Sequence, residues 1–199
     1  EAADEGVRFS DGLFVAPHTN RSIDLDSLVE QLAVPGQPHV LNMTHSYETA
    51  GATYPYGCHI AEVEIDPASC DITIAKFTVV DDFGLVINPM MLAGQIHGGI
   101  AQGVGQALYE HVVYDDSGQI LSGSFMDYTM PRADHFPQLD IHMHNTPCQN
   151  NILGIKGSGE AGAIGAPQAV VSAVCDALGI QHVDMPVTPL KIFNILHQN

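Results

Sequence analysis

One acidic residue near the C-terminal end of the sequence stands in an unusual glycine-rich setting. Glu160 lies within residues 154–167 (GIKGSGEAGAIGAP), with Gly157 and Gly159 before it and Gly162 after it. Small neighbours leave room for a carboxylate at a crowded site where larger side chains would clash. Glu160 is therefore a candidate catalytic carboxylate, and a solvent-exposed loop acid is the alternative interpretation.

The same segment contains a G-x-G-x-x-G pattern, which is typical of a dinucleotide-binding turn. In that motif the third glycine lies inside the opening turns of a helix, whereas Pro167 predicts a helix that begins about five residues after Gly162. A carboxylate at Glu160 would also lie close to the expected position of a pyrophosphate. The segment therefore does not predict dinucleotide binding.

A second glycine-rich segment, residues 94–108, has helical spacing. Each interior glycine lowers helix stability by up to about 1 kcal/mol relative to Ala. A helix with this many glycines therefore needs a compensating reason for them. Either they let another backbone approach closely, or the start of the helix faces a bulky ligand. In the second case Gln95 and Gln102 offer amide donors, and Gly98 and Gly99 lie against the ligand. The spacing alone leaves both alternatives open.

Composition restricts the classes of function. The chain has 199 residues, 45% of them hydrophobic, which is typical of a globular protein. Six Lys and Arg against 23 Asp and Glu give a net charge of −17, which repels nucleic acids and anionic membrane surfaces. Backbone N–H groups and side-chain amides would have to hold any anionic cofactor. No apolar run predicts a transmembrane helix, so we expect neither a nucleic-acid nor a membrane partner.

Potential metal ligands are scattered. The cysteines form no C-x-x-C pair and predict neither a zinc site, an iron–sulfur cluster nor a disulfide framework. Thiols of this kind are typical of a reducing compartment, and we expect a cytoplasmic protein. His142 and His144 have strand spacing and could bind a metal together with His135, but no acidic or cysteine ligand stands nearby. We therefore predict no metal site formed by side chains alone.

The elements that must position these residues are hairpins and single helices. Alternating apolar residues predict hairpins at 7–15, 59–80 and 110–121 and a strand at 139–145, and helical patterns predict helices at 23–33, 91–109 and 167–178. Asp24 or Asp26 is the expected N-cap of the first helix, and Gly179 is the expected C-cap of the last. Asp81-Asp82 and Asp115-Asp116 are expected to cap turns. We predict one α+β domain over residues 1–199, with mixed or antiparallel sheets and a few packed helices.

Several further motifs follow one another along the chain. They are Tyr54-Pro55-Tyr56-Gly57, Val63-Glu64-Ile65-Asp66-Pro67, Asp81-Asp82-Phe83-Gly84, Ile87-Asn88-Pro89, Gly94-Gln95-Ile96-His97-Gly98-Gly99, Gln102-Gly103, Met126-Asp127-Tyr128, Met130-Pro131, Lys156-Gly157-Ser158-Gly159-Glu160-Ala161-Gly162 and Met185-Pro186-Val187-Thr188-Pro189. This ordered series resembles the large subunit of the xanthine dehydrogenase/aldehyde oxidoreductase family of molybdenum hydroxylases. The resemblance is greatest to the branch similar to aerobic carbon monoxide dehydrogenase, and it covers nearly the whole chain.

The resemblance implies that the chain is the C-terminal part of a molybdopterin-binding domain. Gln95 and the glycines after it are then expected to contact the pterin, together with Gln102, Gly157 and Gly159. Glu160 is expected to lie beside the molybdenum and to act as the base in the hydroxylation of a small substrate with water-derived oxygen. Lys156 either supports Glu160, orients substrate or is a surface lysine.

The resemblance also implies partners. We expect a molybdenum–molybdopterin cofactor in its cytosine dinucleotide form, FAD and [2Fe–2S] clusters on partner subunits or domains, and the N-terminal part of the same subunit. The family's first glycine-rich cofactor segments and its substrate-side loop have no counterpart here, so aldehydes, N-heterocycles and carbon monoxide all remain possible substrates. The alternative to an enzyme is a non-catalytic module that binds a partner or a metal through its acidic surface and histidine-rich strand.

Overall fold

The computed structural model describes residues 6–17 and 19–197. The chain divides into two compact units, Glu1–Glu48 and Thr49–Asn199. Within the described residues there are four α-helices and two three-stranded sheets, one of them antiparallel and one mixed. The predicted α+β class is confirmed.

The first unit contains a small antiparallel sheet. Strands β1 (Arg8–Ser10) and β2 (Leu13–Ala16) form the predicted hairpin. Its two turn residues, Asp11 and Gly12, have φ angles of 53° and 81°, which suits a tight hairpin turn that follows the twist of the strands. A third strand, β3 (Arg21–Asp24), pairs with β2 and was not predicted.

Helix α1 (Leu25–Leu32) follows β3 directly. The Asp24 carboxylate accepts the Ser27 N–H and the Ser27 hydroxyl, each at 2.8 Å. A side-chain acceptor at this position satisfies helix N–H groups that have no partner within the helix. The helix predicted over residues 23–33 is confirmed with the bounds Leu25–Leu32, and of its two predicted cap residues, Asp24 and Asp26, the cap is Asp24.

The second unit is built around a longer hairpin. Strands β4 (Tyr56–Ile65) and β5 (Ile72–Asp82) pair antiparallel, as predicted, and Asp66 closes their turn by accepting the Ala68 N–H at 2.8 Å. Strand β6 (Leu139–Met143) matches the predicted strand and pairs parallel with β5. The sheet is therefore mixed, in the order β4-β5-β6.

Residues 110–121 differ from the prediction. They contain one isolated bridge, between Tyr114 and Ile120, where we expected two paired strands. The ladder does not extend because the Val113 N–H donates to the Ser122 hydroxyl at 2.9 Å. The turn itself is as predicted, since Asp115 accepts the N–H groups of Ser117 and Gln119.

Helix α2 (Pro89–Val104) carries the first glycine-rich segment. Asn88 caps it by accepting the Met91 N–H at 3.1 Å, and Pro89 occupies the first turn, where its missing N–H has no cost. The helix continues as a wider π-helical turn, Gly105–Tyr109. The predicted helix over 91–109 is therefore confirmed, although its last turn is not α-helical.

Helix α3 (Ala161–Leu178) begins six residues earlier than predicted, so Pro167 lies inside it. Gly162 consequently does lie in the opening turn, and that argument against a dinucleotide motif is wrong. Dinucleotide binding still lacks its context, because no strand follows α3 in the part of the chain that the structure describes. Gly179 ends the helix with a φ of 65°, as predicted.

A single core joins the sheet and helices of the second unit. Its largest fully buried side chains are Phe77, Val79, Ile96, Ile100, Val104, Val170, Val174, Val187 and Ile192. Ile192 belongs to helix α4 (Pro189–His197), which was not predicted.

Helix α3 is, by length and composition, apolar enough to cross a membrane, which the sequence analysis did not foresee. It packs against α2 and β4, and its Val170 and Val174 side chains are fully buried. Ala169, Val171, Cys175 and Leu178 pack against the same core while partly buried, so core packing accounts for part of the apolar character of the helix.

Candidate active site

Glu160 directly precedes α3. Its backbone carbonyl accepts the Ala163 and Ile164 N–H groups at 2.9 and 3.0 Å. Its carboxylate makes no capping hydrogen bond to the helix, and the residue is exposed. The carboxylate is therefore available as a proton acceptor.

The two glycine-rich segments meet at one hydrogen bond. The Gln95 side chain on α2 donates through Nε2 to the carbonyl oxygen of Gly159 at 3.0 Å. Gly159 is the residue immediately before Glu160. Two segments that are 64 positions apart in the sequence are thus in contact at the base of the candidate catalytic residue.

An open face of α2 lies next to this contact. Gln95, Gly98 and Gln102 are exposed and, at spacings of three and four residues, share one side of the helix. A Cβ atom added to Gly98, Gly157 or Gly159 would have no atom within 4 Å. Packing against the described residues therefore does not explain why these three positions are glycine.

Gly99 is buried on the adjoining face of α2, which packs against α3. An added Cβ atom would lie 2.8 Å from the Gly162 Cα, and one on Gly103 would lie 2.8 Å from the Ala166 Cβ and the Pro167 Cδ. Close packing of α2 against α3 therefore accounts for Gly99 and Gly103. The structure places Gly99 against α3, and its contact with a cofactor stays a prediction.

The buried carboxylate of Asp82 anchors the loop before Glu160. Asp82 was predicted to cap a turn and was not among the predicted site residues. Asp82 is 2% exposed. It accepts the Gly84 N–H at 2.8 Å, the Thr146 N–H at 3.0 Å and the Lys156 Nζ at 2.9 Å. Burial raises the pKa of Asp82, but these hydrogen bonds together outweigh that effect and hold it well below its usual range. Asp82 does cap the turn to Gly84, and it is also one half of a buried ion pair.

Lys156 is the other half of this pair. Its side chain is 8% exposed, and its Nζ lies 4.4 Å from the centre of the Tyr56 ring. The hydrogen bond to Asp82 raises the pKa of Lys156. The interpretation of Lys156 as a surface lysine is wrong, and its ion-pair partner is Asp82 and not Glu160.

A cavity of about 350 Å³ lies beside the Gln95–Gly159 contact. Its polar wall comprises Asn88, Gln95, Lys156 and Ser158. The apolar wall comes from the turn after β5 and the start of α2, and contains Phe83, Leu85, Val86, Ile87, Met91 and Leu92. Its size and mixed lining are typical of sites that bind small molecules.

A second buried polar pair, His59 on β4 and Asp81 on β5, was also missed. The His59 Nε2 lies 3.6 Å from the Asp81 Oδ1, and the side chains are 6% and 3% exposed. Gly57 is opposite Asp81 in the strand pair, and a Cβ there would clash with its carboxylate. An acidic residue near the end of a strand was the one sequence signal, and it was interpreted as a turn cap.

Histidines and acidic residues elsewhere do not converge. No group of three or more His, Cys, Asp or Glu side chains that could hold a metal ion forms among residues 6–17 and 19–197. His142 pairs with the exposed Asp140 at 2.8 Å. The grouping of His142 and His144 with His135, which the sequence analysis considered and did not predict, is not found among the described residues.

The open face of α2 and the adjoining loop fit a large anionic or heteroaromatic group. Positions 98, 157 and 159 expose backbone without side chains, and Gln95 and Gln102 add amide groups. Such neutral donors can bind an anion where the chain offers few cations. These residues are consistent with the pterin contacts that the family resemblance implies.

Comparison of the sequence with known proteins gives a family match. The family described as molybdopterin cofactor-binding domain matches residues 1–137. The nicotine 6-hydroxylase large subunit of Paenarthrobacter nicotinovorans is 39% identical over 155 residues, which are 76% of this chain and 19% of that protein. The carbon monoxide dehydrogenase large chain of Hydrogenophaga pseudoflava is 33% identical over 162 residues, 80% of this chain and 20% of that one. The chain thus spans about a fifth of the length of these relatives.

Solved structures share the fold. Quinoline 2-oxidoreductase from Pseudomonas putida 86 superposes with a TM-score of 0.82 at 35% identity, over 99% of this chain and 26% of that chain. The Cu,Mo-CO dehydrogenase in its carbon monoxide reduced state also gives a TM-score of 0.82, at 27% identity over 96% of this chain and 25% of that chain.

Proposed function

We propose that this chain, which belongs to the molybdopterin cofactor-binding domain family of molybdenum hydroxylase large subunits, carries the catalytic base of an oxidoreductase. The enzyme hydroxylates a small substrate with oxygen derived from water. One observation carries the proposal: the Gln95–Gly159 hydrogen bond joins the open glycine face of α2 to the loop that presents Glu160.

Glu160 is the proposed general base. One of its carboxylate oxygens takes up the proton that the water-derived oxygen loses as it becomes a nucleophile. This role requires a carboxylate without a competing hydrogen bond, and the Glu160 side chain makes no bond to the helix that it precedes.

Gln95, Gly98, Gln102, Gly157 and Gly159 are the residues proposed to hold the molybdopterin. When bound, this cofactor supplies the metal centre that accepts electrons from the substrate. The backbone at the three glycines and the two amides would contact its pterin. We propose the cytosine dinucleotide form, with FAD and [2Fe–2S] clusters on partner subunits that carry the electrons away.

An N-heterocycle is the proposed class of substrate. Two of the proteins to which the chain is similar, the nicotine 6-hydroxylase large subunit and quinoline 2-oxidoreductase, are named for such rings. The cavity beside Gln95 offers apolar side chains such as Leu85 and Met91 for a ring face, and Ser158 for a ring nitrogen. Aldehydes and carbon monoxide are the alternatives that a substrate survey would reveal.

The complete enzyme would contain the remaining part of the large subunit and FAD-binding and iron–sulfur subunits. We propose that it resides in the cytoplasm, because all four cysteines are free thiols. Free thiols are typical of a reducing compartment.

Metal analysis together with turnover tests this function. The complete enzyme should contain about one molybdenum and one pterin per large subunit, and should oxidise quinoline or a pyridine in preference to an aldehyde or carbon monoxide. A non-catalytic module predicts neither molybdenum nor turnover in the same assembly. If the metal-loaded enzyme oxidises only aldehydes, the proposed catalytic role stands and the proposal of an N-heterocyclic substrate is wrong.

A further inference from the structure

We infer that the buried Asp82–Lys156 ion pair and the Gln95 amide are positioning residues for Glu160, because they fix both ends of the short loop before it. This inference rests on the proposed role of Glu160 as the base. It concerns how the chain holds that carboxylate and not the chemistry itself.

The first anchor is at Lys156. Its Nζ lies 2.9 Å from the Asp82 Oδ2, and its backbone N–H donates to the Phe83 carbonyl at 2.9 Å. The segment that follows β5 also binds the chain two residues before Lys156, since the Leu85 N–H donates to the Gly154 carbonyl at 2.9 Å. Lys156 is therefore fixed through both its backbone and its side chain.

The Asp82 carboxylate joins three segments at this point. Besides Lys156, it accepts the N–H groups of Gly84 and Thr146. A buried carboxylate with three donors has little freedom to reorient, because each lost hydrogen bond would leave a buried charge less well satisfied. Asp82 therefore provides a rigid support for the loop.

The second anchor is at Gly159, whose carbonyl accepts the Gln95 amide at 3.0 Å. Only two residues, Gly157 and Ser158, separate the anchors. Gly157 has one weak contact, a 3.4 Å hydrogen bond from its N–H to the Thr53 hydroxyl. Glu160 follows the second anchor directly.

The loop needs these anchors because of its composition. Gly157 and Gly159 have more backbone freedom than any other residue type and lose more entropy when they are ordered. The Glu160 side chain makes no capping bond that would fix it locally. Its direction is therefore set by the backbone, and the backbone is held at Lys156 and Gly159.

The test uses the complete molybdenum enzyme with Lys156→Met, Lys156→Arg, Asp82→Asn and Gln95→Glu. We expect Lys156→Met and Asp82→Asn each to lower kcat about ten- to a hundredfold, the loss typical of a misplaced catalytic group, with KM and molybdenum content nearly unchanged. Gln95→Glu should lower kcat per bound molybdenum by a similar factor, and its rate is divided by its molybdenum content because Gln95 is also a proposed cofactor contact. Lys156→Arg, which keeps the charge, should recover most of the rate. Gln106→Glu adds the same charge at an exposed position of the following π-helical turn and serves as the control.

Two readouts separate positioning from general destabilisation. In the Glu160→Gln background the anchor variants should cause no further loss of kcat, because they act through Glu160. Hydrogen exchange of the amides at 157–160 should be faster in Lys156→Met and in Gln95→Glu, while exchange within α3 stays the same. Since Gln95 is exposed, its variant should fold even where the buried variants do not.

Additive losses in the Glu160→Gln background, or unchanged exchange at 157–160, would overturn the inference. If Glu160→Gln itself remains active, the proposed function fails. The exchange data then still decide whether the anchors hold the loop.

Discussion

Gly99 of α2 and Gly162 of α3 lie so close that the two helix backbones are in direct contact. A Cβ on Gly99 would be 2.8 Å from the Gly162 Cα, and a Cβ on Gly162 would be 2.6 Å from the Ile96 carbonyl oxygen. Neither neighbour is the end of a flexible side chain that could move aside. This crossing brings the middle of α2 to the N-terminal end of α3, which Glu160 directly precedes.

Adjacent glycines of α2 should therefore respond differently to the same substitution. Gly99→Val should lower the free energy of unfolding by at least about 1–3 kcal/mol, the usual cost of overpacking, because its side chain meets backbone. Gly98→Val should leave stability unchanged or slightly higher, because its Cβ meets nothing within 4 Å and glycine disfavours helix. Urea unfolding followed by circular dichroism measures both.

The same pair separates packing from cofactor binding. In the complete enzyme Gly98→Val should lower the molybdenum content of folded protein, because the valine side chain would occupy the open face. Full molybdenum loading of Gly98→Val would show that this face does not hold the cofactor. Equal stability of the two variants would contradict the packing of Gly99 against Gly162.

Asp82 should make the stability of the chain depend on pH in a defined direction. Its pKa is lowered in the folded state from an ordinary value of 3.8. The stabilisation is therefore complete above that value and is lost as the pH falls through the lowered pKa. The difference in unfolding free energy between the parent and Asp82→Asn should be constant between pH 5 and 7 (roughly one pH unit above 3.8 and higher) and shrink below about pH 4.

Lys156 should make the stability of the chain depend on pH in the opposite direction. Its pKa is raised from an ordinary value of 10.5, so its contribution is present below that value and is lost as the pH rises through the raised pKa.

The control for Asp82→Asn is Asp116→Asn, the same change at an exposed turn. An Asp82→Asn effect that is as large at pH 3 (about one unit below 3.8) as at pH 7 would show that the lost interaction is not that of the ionised carboxylate.

Local signals in the sequence predicted the elements that local chemistry determines. The Asp11-Gly12 turn, the Asp24 cap and the Gly179 helix end each depend on neighbours within a few residues, and all three are confirmed. The predicted start of α3 was wrong. Proline is common in the first turn of a helix, but Pro167 is the seventh residue of α3. A proline at this position has no N–H to donate to the Ala163 carbonyl, so one helical hydrogen bond is lost. The Pro167 ring packs against Gly103 of α2.

Only some residues of the candidate site could be predicted from the sequence, for a related reason. Glu160 and Gln95 could be proposed because glycines mark their segments. The Asp82–Lys156 pair joins positions 74 apart, and nothing in either local sequence specifies the other partner. Long-range ion pairs of this kind depend on the β5 strand end and the loop meeting in three dimensions.

The isolated chain should not bind molybdenum stoichiometrically. It spans about a fifth of the length of its relatives, so only part of the contacts to a molybdopterin can be present. Purified from a host that makes the cofactor, it should contain well below one molybdenum per chain by elemental analysis and show no hydroxylase activity. A ratio near one would mean that the face around Gln95 and Gly98 is sufficient by itself.

Glu160→Gln in the complete enzyme should abolish turnover and leave the molybdenum in place. Glutamine keeps the size of glutamate and most of its hydrogen bonding, but it cannot accept a proton. General-base catalysis typically contributes about 10²–10⁴-fold, and we expect a loss in the upper part of that range. Steady-state kinetics with elemental analysis of the same sample provides both measurements, and Glu62→Gln, an exposed residue on β4, is the matched control.

The two measurements must be read together because each alone is ambiguous. A variant that retains molybdenum and loses less than about tenfold in rate, or about 1.4 kcal/mol of barrier, would show that Glu160 does not take part in the chemistry. A variant that loses metal and rate together would instead assign the loop to cofactor retention. Because the Glu160 side chain makes no bond to α3, its replacement by glutamine should not disturb the helix, and the retained-metal outcome is the one we expect.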